Sequence, residues 1–215
     1  MDYLPGGDLF SYLEKRKFKI PEDRARVVAH KIATALYYLH TFGIAHRDLK
    51  PENILMSDDT DDCDLKLVDF GLSKIVGPSE SCTEPFGTLS YVAPEVLLQK
   101  PYGKEVDIWS LGIIIYMMLS GVLPFDDDDD REIARQTIYD PPDFTYHTWN
   151  DVSEEAKDIV SQLLEKNRHK RIKLEKVLEH PWFANKFKNI SLARKNSGDF
   201  SSKFKTYAVT EEKKE

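Results

Sequence analysis

Two cysteines, Cys63 and Cys82, are all that this 215-residue chain contains. So few exclude a disulfide scaffold, and they lack metal-ligand spacing, so a reducing compartment, the cytoplasm or the nucleus, is expected. Long apolar runs are missing as well. The longest, Ile113 to Leu119, falls far short of the roughly 18 residues that span a bilayer. Residues 1–7 carry neither the basic nor the apolar stretch of a signal peptide. Positive charge is in deficit: 30 Lys and Arg stand against 37 Asp and Glu, a net charge of −7. That balance argues against nucleic acid as a partner. No internal repeat is found. What is present is 41% hydrophobic and 31% charged, a composition able to bury a core.

Pro21 is expected at the first position of a helix, with Glu22 and Asp23 where the helix dipole favours acids. Ala25, Val28, Ile32, Leu36 and Leu39 then recur at spacings of three and four, which predicts an amphipathic helix to about His40, stopped by Gly43. Ile54–Met56 and Leu65–Val68 read as one small strand pair around an acidic loop. Residues 71–90 lack a period and read as a long loop, a feature that in compact domains is usually functional. From Asp107 to Leu119 the chain is apolar nearly all round, which predicts a central buried helix. Residues 126–139, 153–166 and 173–180 read as further helices, the last stopped by Pro181. His30, His40 and His147 have no partner cluster in the sequence and read as packing or surface residues.

The chemistry is concentrated in His46-Arg47-Asp48-Leu49-Lys50-Pro51-Glu52-Asn53, followed by Asp69-Phe70-Gly71 and Ala93-Pro94-Glu95. This ordered set matches a catalytic loop, a metal-binding aspartate and an activation-segment anchor. On these residues the chain resembles the C-terminal lobe of a eukaryotic Ser/Thr protein kinase of the calcium/calmodulin-dependent kinase-like group. The resemblance implies a mainly α fold with a small β-hairpin, and a transfer of the γ-phosphate of ATP, with Mg²⁺, to Ser or Thr hydroxyls of proteins. Asp48 would take or orient the hydroxyl proton, Lys50 would neutralise the γ-phosphate, and Asn53 and Asp69 would supply hard oxygen ligands to Mg²⁺. Lys50 together with Thr88 fits the Ser/Thr-specific pattern.

Further roles follow from the same resemblance. His46 and Phe70 would belong to an apolar stack aligning the lobe. Asp107 would cap the buried helix and accept hydrogen bonds from the catalytic-loop backbone. Glu95 would pair with Arg171 as a buried latch. Asn167-Arg168 departs from the Asp-Pro of many relatives, a change read as structurally mild. Residues 1–10 resemble a hinge and the segment after it, with the backbone of Asp2 and Leu4 on adenine, Leu55 beneath the ring, and Asp8 reaching the ribose or a basic substrate residue. Asp8 and Glu52 together favour basic residues upstream of the phosphorylated hydroxyl. Met117 qualifies that preference, because strongly basophilic relatives carry a carboxylate there.

Residues 11–183 thus read as the lobe, with the catalytic loop at 46–53 and the activation segment at 69–95. Residues 184–215 read as a basic tail, and 186–207 as an autoinhibitory or calmodulin-binding segment. Neither a G-x-G-x-x-G loop nor a V-A-I-K lysine occurs in the chain, so it reads as a fragment, with a non-catalytic interaction module as the competing class. Kinases of this pattern usually pair the arginine, here Arg47, with a phosphorylated threonine. Glu84 occupies that position, so a fixed carboxylate is expected to replace the phosphate, with Thr83 as the competing site of phosphorylation.

Overall fold

The computed structural model describes residues 4–58, 60, 63–76, 82–83 and 87–183. Helix α1 (Leu9–Glu14) is followed by α2 (Glu22–Thr41), and β1 (Ile44–Ala45) leads into residues 46–53. β2 (Ile54–Met56) and β3 (Leu65–Leu67) form the expected hairpin, in the register Ile54↔Leu67. A second antiparallel pair joins β1 to β4 (Lys74–Ile75), with Ala45 opposite Lys74. The sequence indicated one pair. Two-residue strands leave no period to detect, and here the backbone ladder, not side-chain alternation, makes the element.

Four helices follow short α3 (Pro94–Leu97): α4 (Glu105–Ser120), α5 (Asp130–Tyr139), α6 (Glu154–Leu163) and α7 (Leu174–Glu179). None of the described helices is long and apolar enough to cross a membrane. Every residue of α4 from Val106 to Ser120 is buried, as its all-round apolar sequence requires. Burying each Ile, Leu or Met side chain contributes ~1.5–3 kcal/mol, so this helix is the main anchor of the core. α2 packs on one side of it and α6 on another. Gly112 sets the second approach: a Cβ there would lie 2.8 Å from Leu164 Cδ2 and 2.9 Å from Leu163 Cβ.

Helix ends differ in detail from expectation. Pro21 is the N-cap of α2, not its first residue. α5 begins at Asp130 because Asp129 accepts from the Arg131 N–H and caps it, so 126–129 stays outside the helix. α1 has no periodic signal in its six residues, and the Asp8 carboxylate starts it by accepting from Ser11 N at 2.7 Å and Ser11 Oγ at 3.0 Å. Glu22 joins three elements: it accepts from Ser153 N and Oγ, from Trp182 Nε1 at 2.9 Å and from Arg26. Lys166 lies against the stacked rings of Phe125 and Trp109, with Nζ 3.9 and 4.9 Å from their centres, and donates to the carbonyls of Gln136 and Thr137. Burial lowers the pKa of its ammonium to about 7.

Candidate active site

The site is assembled on the N-terminal end of α4 and one end of the β2–β3 hairpin. Asp107 is the third residue of α4, after the N-cap Lys104. Its carboxylate therefore does not cap the helix. It accepts from His46 N at 2.9 Å and Arg47 N at 2.8 Å, and His40 Nε2 lies 2.8 Å from Oδ2. Burial pushes the Asp107 carboxyl up, but the bonds from His40 and from the two backbone amides outweigh it and hold the group below the usual aspartate value. Arg47, held this way, has φ 69°, a left-handed conformation that costs a non-glycine residue about 1–2 kcal/mol. His40 is thus a partnered residue of the site and not a packing or surface histidine. Its last-turn position in α2 gives no sequence signal, because its partner lies 67 residues away.

Asp48 follows directly. Its Oδ2 accepts from Asn53 Nδ2 at 3.0 Å and pairs with Lys50 Nζ at 3.0 Å. Lys50 Nζ also donates to Thr88 Oγ1 at 3.0 Å, so one ammonium ties the Asp48 segment to the Thr88 segment 38 residues on. Among the described residues Oδ1 of Asp48 accepts no hydrogen bond, and the side chain is 11% exposed. Gly87, at φ +90°, lies against it: a Cβ there would come 4.0 Å from Asp48 Oδ1 and 3.3 Å from Val92 Cγ2.

The hairpin register brings Asn53, just before β2, and Asp69, two residues past β3, to the same end, and Val68 N donates to Asn53 O at 3.0 Å. Asp69 is also left-handed, at φ 59°, and its Oδ1 accepts from Gly71 N. The Asn53 amide is oriented by donating to Asp48 O as well, which leaves its oxygen for a ligand. An amide oxygen and a carboxylate suit Mg²⁺, which typically keeps waters and substrate phosphate in its remaining positions. Among the described residues no group of three or more His, Cys, Asp or Glu is placed to hold a metal ion.

Around this centre the other expected residues divide. The His46 and Phe70 rings lie 5.1 Å apart, and His46 Nε2 is 3.0 Å from Val68 O. Glu95 and Arg171 form a two-pronged pair at 2.7 and 2.9 Å. Arg47 donates to the Leu72 carbonyl and to Tyr102 Oη. Tyr102 in turn bridges Cys82 through paired backbone bonds, and Thr83, the next residue, is exposed. Glu84 lies outside the described residues, as do Asp2 and 186–207. Leu55 bridges Asp8, and Leu4 closes a turn with Gly7. The Asp8 carboxylate, expected to face a ribose or a basic residue, is used by the α1 cap. Glu52 is exposed on the turn Pro51–Asn53, close enough to raise the buried Tyr91 phenol, although burial is the larger cause. Arg168, at the departure from Asp-Pro, pairs with Glu105 at 3.0 Å.

The protein kinase domain model matches residues 1–183. The chain belongs to that family. Among curated proteins, calcium/calmodulin-dependent protein kinase type 1B of Rattus norvegicus is 42% identical over 184 residues, covering 86% of this chain and 53% of the relative. The Homo sapiens type 1B protein gives the same identity and coverage. Calcium-dependent protein kinase 11 of Oryza sativa subsp. japonica is 42% identical over 182 residues, 85% of this chain and 31% of the relative. The chain therefore spans about half the length of the type 1B relatives and less of the plant one. Within the family it sides with the calcium/calmodulin-dependent group of Ser/Thr kinases, and its helix-rich kinase fold, with small two-stranded sheets, agrees.

Proposed function

We propose that the chain carries the catalytic-loop half of an ATP-dependent protein Ser/Thr kinase, and that Asp48 is the group that takes or orients the substrate hydroxyl proton. The observation that supports this best is the asymmetry of its carboxylate. One oxygen is fixed by Lys50 and Asn53, and the other has no hydrogen-bond donor among the described residues. Lys50, between Asp48 and Thr88, places a positive charge where the transferred phosphoryl group gathers negative charge. Asn53 and Asp69 would hold Mg²⁺, which would supply charge neutralisation of the nucleotide phosphates. Glu52 favours basic residues upstream of the phosphorylated hydroxyl, and Leu4 and Leu55 are the described residues proposed for the adenine side. We place the protein in the cytoplasm or nucleus on its cysteine content. A calmodulin-binding or autoinhibitory role for 186–207 rests on the segment's mixed basic and apolar sequence and on the names of the relatives.

The 215 residues contain neither a Gly-rich phosphate loop nor the ATP-anchoring lysine. Alone, the chain is expected to transfer phosphate far below the ~1–100 s⁻¹ of ordinary kinases. Joined to a segment carrying both, it should reach that range on a basic peptide, and Asp48→Ala or Asp69→Ala should abolish transfer. Full turnover by the joined protein with Asp48→Ala would overturn the assignment. A joined, folded and nucleotide-binding protein that transfers nothing would favour the interaction-module reading.

A further inference from the structure

Asn53 and Asp69 mark one end of the β2–β3 hairpin. At the other end, past Met56, a cleft of about 280 Å³ opens between Pro5, Gly6, Tyr12, Lys15, Arg16 and Asp58. One wall is backbone. Residues 4–8 run beside β2, with Met56 N donating to Gly7 O at 2.8 Å and Asp8 bridged to Leu55. Gly6 makes the closest approach: a Cβ there would lie 2.5 Å from Met56 O and 2.7 Å from Asp58 N. This wall is therefore fixed whether or not anything fills the cleft.

The opposite wall is α1 and the turn after it, and it is positive. The Tyr12 ring is buried, with the Arg16 guanidinium 3.8 Å and that of Arg24 5.5 Å from its centre. Arg16 Nη1 also donates to Tyr12 O at 3.1 Å. A guanidinium stacked in this way is already ordered, so less freedom is lost when it meets a carboxylate. Lys15 is exposed and makes no hydrogen bond or ion pair among the described residues. Positive charge continues past the cleft in Lys17 and Lys19, both exposed, which favours the approach of an anion. The one carboxylate of the lining, Asp58, is turned onto its own loop. Its Oδ1 accepts from Thr60 N at 2.8 Å and from Thr60 Oγ1, and its Oδ2 accepts from Ser57 Oγ at 2.9 Å.

The volume falls just below the ~300–1,000 Å³ of small-molecule sites. It suits one or two side chains of a protein segment better than a whole cofactor. We infer that the cleft is a docking site for an acidic segment of a partner protein, which sets a Glu or Asp carboxylate between Lys15 and Arg16 and an adjoining apolar side chain against Pro5 and Tyr12. It lies at the hairpin end away from Asn53 and Asp69, so it does not depend on the phosphoryl-transfer reading, and its test needs no transfer.

The measurement is a titration of the ¹⁵N-labelled 215-residue chain with the tetrapeptide acetyl-Glu-Phe-Asp-Glu-amide. Its uncharged counterpart, acetyl-Gln-Phe-Asn-Gln-amide, and inorganic phosphate are titrated alongside. The acidic peptide should shift the amides of Gly6, Lys15, Arg16 and Asp58 saturably while those of α6 stay in place. The uncharged peptide should bind at least about tenfold more weakly, as the loss of one charge-assisted bond implies. Arg16→Gln should weaken the acidic peptide by a similar factor. Should that variant fail to fold, Lys15→Gln, altered at an exposed position, carries the comparison, and Arg135→Gln on α5 should leave binding unchanged. Equal binding of the two peptides would overturn the inference. So would the absence of saturable shifts at the four amides, or unchanged binding by folded Lys15→Gln. Saturation by phosphate at lower concentration than by the acidic peptide would mark a small-anion site and overturn it as well.

Discussion

Arg171→Met is the substitution whose cost the structure specifies most closely. The Arg171 side chain is fully buried and that of Glu95 is 4% exposed. The guanidinium gives both carboxylate oxygens a bond, donates to the carbonyls of Glu105 and Glu165, and stacks on Trp109 at 5.1 Å. Methionine would fill much of the space and leave Glu95 charged and unpaired among apolar neighbours. Removing one partner of such a buried pair costs ~3–5 kcal/mol. In a domain of this size each kcal/mol lowers Tm by ~2–4 °C, which gives a fall of ~6–20 °C. The nearby pair Arg168–Glu105 is a control, with both side chains 27% exposed. Arg168→Ala should cost no more than ~1 kcal/mol. Thermal and urea unfolding followed by circular dichroism reads both. The double substitution Glu95→Leu with Arg171→Met should be less damaging than Arg171→Met alone, because no buried charge is then left over. The reasoning fails if Arg171→Met lowers Tm no more than Arg168→Ala does, or if the double variant loses the sum of the two single losses.

Three further outcomes can be checked directly. Lys166 should lose its proton near pH 7 when followed by ¹³C-edited titration of its side chain. Because its folded pKa lies below the unfolded 10.5, stability should rise with pH between about 7 and 10.5 as the unfolded chain alone stays protonated; Lys166→Met should flatten that rise, and a titration near 10 would refute the effect of burial. In the protein joined to a Gly-rich-loop segment, phosphatase treatment should leave activity intact and Glu84→Ala should lower it while Thr83→Ala does not. Loss of activity on dephosphorylation would instead assign the role to Thr83. A peptide of residues 184–207 should bind Ca²⁺-calmodulin at micromolar concentration, and no binding there removes the calmodulin reading of the tail.

The legible and the illegible parts of this fold separate by the range of the forces involved. α4 could be placed within two residues from Ile108, Trp109 and Ile113–Leu119, because burial on every side leaves its mark on every residue. α2 was equally plain from its three-four spacing. The hairpin was visible in Ile54–Met56 and Leu65–Val68, whereas Asn53 and Asp69 were paired by motif and only the register puts them at one end of it. By contrast, α1 depends on one cap, Asp8 with Ser11, and the β1–β4 pair on two backbone positions in each strand. His40 and Tyr102 were invisible for another reason. Each meets its partner, Asp107 or Arg47, across more than 50 residues, and no local pattern encodes a meeting of that kind.

Glu22 has a consequence in time as well as in space. Its bonds to Ser153 and Trp182 span 131 and 160 residues, so they close loops that cover most of the described chain. Loop closure of that length is entropically late, and contacts absent from the transition state act on unfolding alone. The carboxylate at the start of α2 therefore acts as a latch on the lifetime of the folded lobe. Loss of its bonds would leave the rate of folding nearly unchanged and steepen escape from the native state, a difference confined to the unfolding limb of a chevron plot.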